Sequence, residues 1–241
     1  MRLLSQTRYR IMSHARIANT FDAWATAGKG EGMERGHGDV VYQVIPQLDI
    51  RPGDQILDLG CGTGWATRAL AKSAAGTGAV GVDISKEMIA KAEEQHSYTI
   101  RARYEVMPFE ELELKDNHFS HAFSMEAMYY APDIDKSLSE VLRVLKPGGR
   151  ADIIIDFYSD NESTKGWSDT IDAPMTWMSE AEWITKFESC GFEGVKTTRV
   201  VDRRGPGEEA DFKPGNVYPD WASRVRFHEA GSLWIHAKKP G

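Results

Sequence analysis

From residue 55 to the C-terminus, short apolar runs alternate with stretches of helical spacing. Gln55–Leu59, Ala79–Val82, Ile100–Val106, Phe119–Ser124 and Ala151–Asp156 are short, apolar and bounded by turn-forming or polar clusters, so each reads as a strand. Between them lie helix patterns. Trp65–Ala75 follows the first strand, and Ser85 is placed to cap the next helix, with Glu87 in its first turn. Leu138, Val141, Leu142 and Leu145 recur at helical spacing until Lys146-Pro147-Gly148-Gly149 ends the pattern. Ser179-Glu180-Ala181-Glu182 forms a capping box, Ile184 and Phe187 share a helical face, and Gly191 ends that helix. Val195–Val201 and Ser232–Lys238 make two final strands. The alternation predicts an α/β fold, a doubly wound Rossmann-like sheet covered on both faces.

Residues 1–37, 157–178 and 202–231 fall outside this frame and read as long loops. Two of them carry many aromatic residues: Phe157, Tyr158, Trp167 and Trp177 in one, and Phe212, Tyr218, Trp221 and Phe227 in the other. In doubly wound sheets ligands bind at the C-terminal edge of the strands, so the two insertions are expected to form a substrate lid there.

The first strand runs into Asp58-Leu59-Gly60-Cys61-Gly62-Thr63-Gly64-Trp65. Glycines let the backbone turn tightly and approach a ligand, and the following helix N-terminus offers unpaired N–H groups. A dinucleotide loop needs a third glycine where Trp65 stands, and a P-loop needs a Gly-Lys-Ser/Thr that is absent. An acid before the first glycine repels phosphate and attracts an ammonium. The expected ligand is therefore nucleoside-like, with a cationic end. Asp83 closes the second strand 19 positions after Gly64, near the ~20-residue offset of a ribose-binding acid. Ile84 would then lie against the base, with Met88 closing that pocket.

This run resembles motif I of the class I S-adenosylmethionine-dependent methyltransferases, the type 11-like group among them. The resemblance extends over roughly residues 38–155. It includes Gly81-Val82-Asp83-Ile84-Ser85, the segment Phe119–Tyr130 and Leu142-Arg143-Val144-Leu145-Lys146-Pro147-Gly148-Gly149-Arg150, in family order. It implies a seven-stranded sheet, mostly parallel, with an antiparallel last strand. It also implies S-adenosyl-L-methionine as cofactor, bound by Asp58, Gly60, Cys61, Gly62, Gly64, Asp83, Ile84 and Met88. The alignment places Pro108 where many relatives carry an acid that meets the adenine amino group. Proline has neither a side-chain acceptor nor an N–H. That leaves the Phe109 N–H, with Glu110 as a replacement acceptor.

Ser124-Met125-Glu126 leaves strand four where cofactor and acceptor meet in the family, with the Ser124 or Met125 carbonyl toward the methionine ammonium. Glu126 would face the sulfonium and bind an amine or serve as a base; otherwise it is a carboxylate at a helix start. Tyr129, Tyr130, Tyr158 and Trp177 are candidate walls of the acceptor pocket, or plain core. In similar proteins a segment like 1–37 covers the cofactor. His37 within it either reaches the acceptor or sits at the surface. Arg2, Arg8, Arg10 and Arg16 either contact an anionic substrate or form a solvated basic tail.

Composition narrows this further. With 241 residues and 41% hydrophobic content, one buried domain spanning 1–241 is expected. No apolar run approaches a membrane span, and no signal peptide follows the N-terminal arginines. Two cysteines without ligand spacing predict neither a metal nor a disulfide, and a cytoplasmic location. A net charge of −7 makes nucleic acid an unlikely partner. The expected protein is a methyltransferase acting on a small organic acceptor, as monomer or homodimer. The alternatives are an RNA or protein methyltransferase and a cofactor-binding regulator without turnover.

Overall fold

A computed structural model describes residues 2–215 and 217–241; the side chains of residues 2–11 and of residue 31 lie outside the description. The seven strands are β1 (Gln55–Leu59), β2 (Gly78–Asp83), β3 (Ala102–Val106), β4 (Phe119–Met125), β5 (Leu145–Ile155), β6 (Glu193–Val200) and β7 (Ser232–Lys238). They form one sheet in the order β3-β2-β1-β4-β5-β7-β6, in which β7 runs antiparallel to both neighbours. The helices are α1 (Arg2–Thr26), α2 (Met33–Val44), α3 (Trp65–Ala71), α4 (Lys86–Glu94), α5 (Ile134–Val144), α6 (Glu180–Ser189) and α7 (Trp221–Ala230).

Successive strand residues point to opposite faces, and the two cores follow that alternation. Leu57, Ala122, Ile153 and Ile155 pack with Leu138 and Val141 of α5 and with Trp183 and Phe187 of α6. Ile56, Phe123 and Ile154 pack on the other face with Val41 and Val44 of α2, Leu70 of α3 and Ile89 of α4. Chain order reverses direction across the sheet between β1 and β4. The register pairs Leu59 with Val82 and with Ser124, so Gly60, Asp83 and Met125 leave the sheet at one edge. That edge is where a doubly wound sheet opens a crevice.

Several expectations are corrected. Residues 2–37 are not a long loop: α1, a short 3-10 turn at Lys29–Gly32 and the start of α2 occupy most of them. Their apolar positions are sparse and mixed with charge, so local periodicity is weak, and contacts with the sheet domain hold them instead. Residues 202–231 contain α7, whose N-cap Asp220 accepts from the Ser223 N–H at 2.6 Å. The Lys146–Gly149 stop does end α5, but it belongs to β5, which starts at Leu145. The helix after β1 stops at Ala71, four residues early. Among the described residues, no helix is long and apolar enough to cross a membrane.

Candidate active site

The glycine run turns out of β1 through three positive-φ residues. A Cβ at Gly60 would collide with that of Ala127, so this position holds the loop against the exit of β4. Gly62 differs. Its φ is +51°, and a Cβ there would meet nothing nearer than the Met88 sulfur at 4.0 Å. The missing side chain opens onto a cavity and lets the backbone approach whatever fills it. That cavity is lined by Asp58, Gly60, Cys61 and Gly62, by Asp83, Ile84 and Met88, and by Pro108, Phe109 and Glu110. Met125, Glu126, Ala127 and Tyr130 close a further side.

Two carboxylates hold the polar end. Asp58 is buried and accepts from the Thr67 hydroxyl at 2.6 Å. The Gly62 N–H of the glycine loop donates not to Asp58 but to Asp83 Oδ2, at 2.9 Å. The Ser85 N–H donates to Asp83 Oδ1, also at 2.9 Å. Each Asp83 oxygen keeps acceptor capacity for a further hydroxyl. Burial pushes Asp58 up to about 7, with the Thr67 hydroxyl opposing and the Asp83 charge adding. Burial pushes Asp83 up to about 6 against the Ser85 and Gly62 N–H groups. Neither has an ion-pair partner among the described residues. Two buried acids facing a cavity without a cation suit a ligand with an ammonium and a diol.

The N-terminal helices wall the cavity with His14, Ile17, Phe21, Met33 and His37. Asp22 of α1 accepts from the Ser85 hydroxyl at 2.5 Å and the Glu87 N–H at 3.1 Å, fastening α1 to the start of α4. A Cβ at Gly30 would lie 2.7 Å from Thr63 Cγ2, so this turn rests directly on the glycine loop. Glu110 is buried and already engaged. One oxygen lies 3.0 Å from His14 Nε2 and the other accepts from the Asp133 N–H at 3.1 Å, so it braces the wall.

Glu126 stands in the left-handed region at φ +56°, a costly conformation for a residue with a Cβ. Its N–H donates to the Ile154 carbonyl at 2.9 Å. Its carboxylate accepts from the Asp156 N–H and, at 2.8 Å, from the Tyr129 hydroxyl. Burial, with the Asp156 charge beside it, holds the Glu126 carboxyl well above the usual carboxylate range. Asp156 is also raised by burial, opposed by His37, whose Nδ1 lies 3.8 Å from Asp156 Oδ2. Burial lowers His37. Glu126, Asp156 and His37 thus place three titratable side chains in a chain of contacts beside the cavity.

His37 and Asp156 also line a second cavity, of about 190 Å³, with Trp167, Tyr218, Arg224 and Phe227. The predicted acceptor walls separate here. Tyr129 and Tyr130 are buried beside Glu126, and Phe21 packs edge-on to Tyr130 at 5.0 Å. Tyr158 is elsewhere: its buried hydroxyl donates to the Gly231 carbonyl at 2.9 Å, and it lines neither cavity. Trp177 packs against the core and lines neither. Gly64 and Ser124 are likewise outside both linings; the Ser124 hydroxyl donates to the Leu59 carbonyl at 2.9 Å and ties β4 to β1. Arg16 ion-pairs with Asp172 at 2.5 Å, and the side chains of Arg2, Arg8 and Arg10 lie outside the described residues. Sequence reasoning missed Asp156 and Arg224. In sequence the first is only the last residue of an apolar strand, and the second falls in a stretch without helical spacing.

A family model for a methyltransferase domain matches residues 56–149. A chain assigned as a methyltransferase, solved in complex with the Trm112 methyltransferase activator of Haloferax volcanii, is 31% identical. That likeness covers 92% of this chain and 98% of the other, with a TM-score of 0.84. Phosphoethanolamine N-methyltransferase 2 of Caenorhabditis elegans is 28% identical over 165 residues, 64% of this chain and 36% of its own length. O-methyltransferase resE of Aspergillus sclerotiorum is 27% identical over 191 residues, covering 76% of this chain and 71% of its own. The chain spans between about a third and two fifths of the first curated relatives it matches. The chain belongs to the class I S-adenosylmethionine-dependent methyltransferases, and S-adenosylmethionine is its cofactor.

Proposed function

We propose that the protein methylates a small organic acceptor held in the second cavity, next to the Glu126–Asp156–His37 cluster. The carrying observation is that His37 lines both cavities while the Glu126 carboxylate, on the cofactor side, accepts from the Asp156 N–H on the other. Asp58 would hold the ammonium of the cofactor, Asp83 the ribose hydroxyls, and Ile84, Met88 and Phe109 the adenine. The bound cofactor supplies a methyl group already activated by its sulfonium, so little chemistry is left to the protein beyond alignment and exclusion of water. The helices α1 and α2 exclude water by covering the glycine loop. Glu126 and His37 orient the acceptor and take its proton where it has one to lose.

The curated relatives transfer methyl groups to different atoms, so the family alone leaves the acceptor open. Burial of the cluster favours a small molecule over RNA or protein. The two free thiols, Cys61 buried and Cys190 half-buried, suit a reducing, cytoplasmic setting. A second reading has one observation behind it: the likeness spans 98% of a chain solved with an activator protein. On that reading this chain also takes an activator subunit, and co-expression with such a protein would yield a complex.

The test is transfer of label from methyl-labelled S-adenosylmethionine to a panel of amines, carboxylates, phenols and thiols, run beside RNA and protein fractions. Label in a small product is expected. Label only in RNA or protein would overturn the small-acceptor reading, and cofactor binding without any transfer would make the chain a regulator.

A further inference from the structure

We propose that the second cavity is a site for a small zwitterion, with an ammonium at His37–Asp156 and a carboxylate or phosphate at Arg224. The proposal rests on the acceptor-side reading of that cavity and adds the chemical class of its occupant.

The wall carries side chains of both charge signs. Asp156 is 5% exposed; Ser232 hydrogen-bonds to it, and the His37 imidazole lies 3.8 Å away. Arg224, half-buried on α7, has no ion pair among the described residues. Its Nε donates to the Pro206 carbonyl at 3.1 Å, and its guanidinium stacks 5.0 Å above Tyr218 and 5.7 Å from Phe227. The other carboxylate on this wall, Asp202, is already taken by Arg204 at 2.5 Å. Arg224 and Asp156 thus face the cavity without an ion pair between them, although the Arg224 charge reaches the Asp156 carboxyl and partly offsets its burial.

A space of about 190 Å³ has room for about six waters at ~30 Å³ each, and water is the solvent a ligand must replace there. A ligand that displaces them must replace that solvation. A neutral molecule would strand both charges, a simple amine would strand Arg224, and a simple anion would strand Asp156. A molecule with both charges strands neither. The guanidinium fork favours carboxylate or phosphate oxygens. Trp167, 9% exposed, lies on the same wall. Trp167, Tyr218 and Phe227 box the space, with ring centroids 5.1 to 6.5 Å apart, and the last two hold the Arg224 guanidinium against their faces. Because His37 lines both cavities, the nitrogen end of the ligand is the end nearest the cofactor.

The experiment is calorimetric titration of protein saturated with S-adenosylhomocysteine. The probes are glycine, β-alanine, γ-aminobutyrate and phosphoethanolamine, against ethylamine, propionate and β-alaninamide. At least one zwitterion should bind saturably and at least tenfold more tightly than every single-charge control. Arg224→Met should weaken that binding about tenfold to a hundredfold, as for a lost charge-assisted hydrogen bond, with S-adenosylhomocysteine affinity unchanged. If Arg224→Met does not fold, the probe series on the unmodified protein decides alone. Equal binding of ethylamine, or no binding by any zwitterion, overturns the proposal. If uncharged small molecules are still methylated in that case, only the zwitterion fails. If only RNA or protein is methylated, the small-acceptor reading fails instead.

Discussion

The cofactor half and the proposed acceptor half of this molecule are built by different rules. In the first, the residues proposed to meet the cofactor lie at or just past a strand end: Asp58 near the end of β1 and Gly60–Gly62 after it, Asp83 at the end of β2 and Ile84 after it. Backbone geometry does most of the work, and a Cβ in the wrong place is the main threat. In the second, the cluster joins Glu126 after β4, Asp156 after β5, His37 on α2 and Arg224 on α7. No short run of sequence holds two of them. A function that depends on local backbone geometry leaves a motif, while one that depends on long-range convergence leaves only scattered residues.

This comparison predicts separable defects. The largest concerns Glu126→Gln. If the carboxylate orients or deprotonates the acceptor, turnover falls by about 10²–10⁴, the usual size of an acid–base contribution. The melting temperature separates this from a structural role, because the amide oxygen still accepts the Asp156 N–H and the amide NH2 donates to the Tyr129 hydroxyl oxygen, which keeps both contacts with one reversed. A large drop in melting temperature with normal turnover of the folded fraction would make Glu126 a scaffold residue.

Gly62→Val acts on the other half. A β-branched residue at φ +51° is strained, and its side chain enters the cavity. Cofactor affinity should fall by about a hundredfold or more, and the melting temperature by only a few degrees, as expected for ~1–2 kcal/mol of backbone strain. Retained affinity would show that this loop is not the cofactor cradle.

The pH dependence is smaller and has a definite sign. Asp58 rises from 3.8 to about 7 and Asp83 from 3.8 to about 6 on folding. The folded, ligand-free protein therefore holds protons that the unfolded chain has released. Its stability from these groups is full below about pH 4 and is lost as pH rises through 6 and 7. A cationic ligand favours the ionised acids, so cofactor affinity should rise between about pH 5.5 and 7.5. Asp58→Asn should flatten that rise in calorimetric titrations across this range. A slope unchanged by the substitution would assign the proton to another group.

Asp22→Ala is the smallest. It removes the clasp between α1 and the first turn of α4, and a cost of about 1 kcal/mol is expected for the lost cap-like bonds. Melting should drop by about 2–4 °C for a domain of this size. Cofactor affinity should fall slightly as the cover loosens, and no change in either quantity would mean that α1 is held elsewhere.

The sheet was legible because its strands are short apolar runs between strong breakers, and Ser232–Lys238 is bounded by the same residues in both readings. The glycine run and Asp83 were legible because few other sequences produce that backbone. The helical nature of residues 1–37 was not, since α1 is held by long-range contacts such as Phe21 on Tyr130 rather than by a clean apolar stripe. Tyr158 and Trp177 were misplaced because aromatic content marks burial without saying in which cluster. Asp156 and Arg224 matter for their surroundings, and surroundings assembled from four separate elements have no spacing to read.

The most direct test of the two-half account is titration of S-adenosylmethionine into Asp83→Ala and Glu126→Gln side by side. Asp83→Ala should weaken binding by about 1.5–3 kcal/mol, as for charge-assisted hydrogen bonds lost to a ligand, while Glu126→Gln changes affinity little. Equal losses in both variants, or a loss confined to Glu126→Gln, would contradict it.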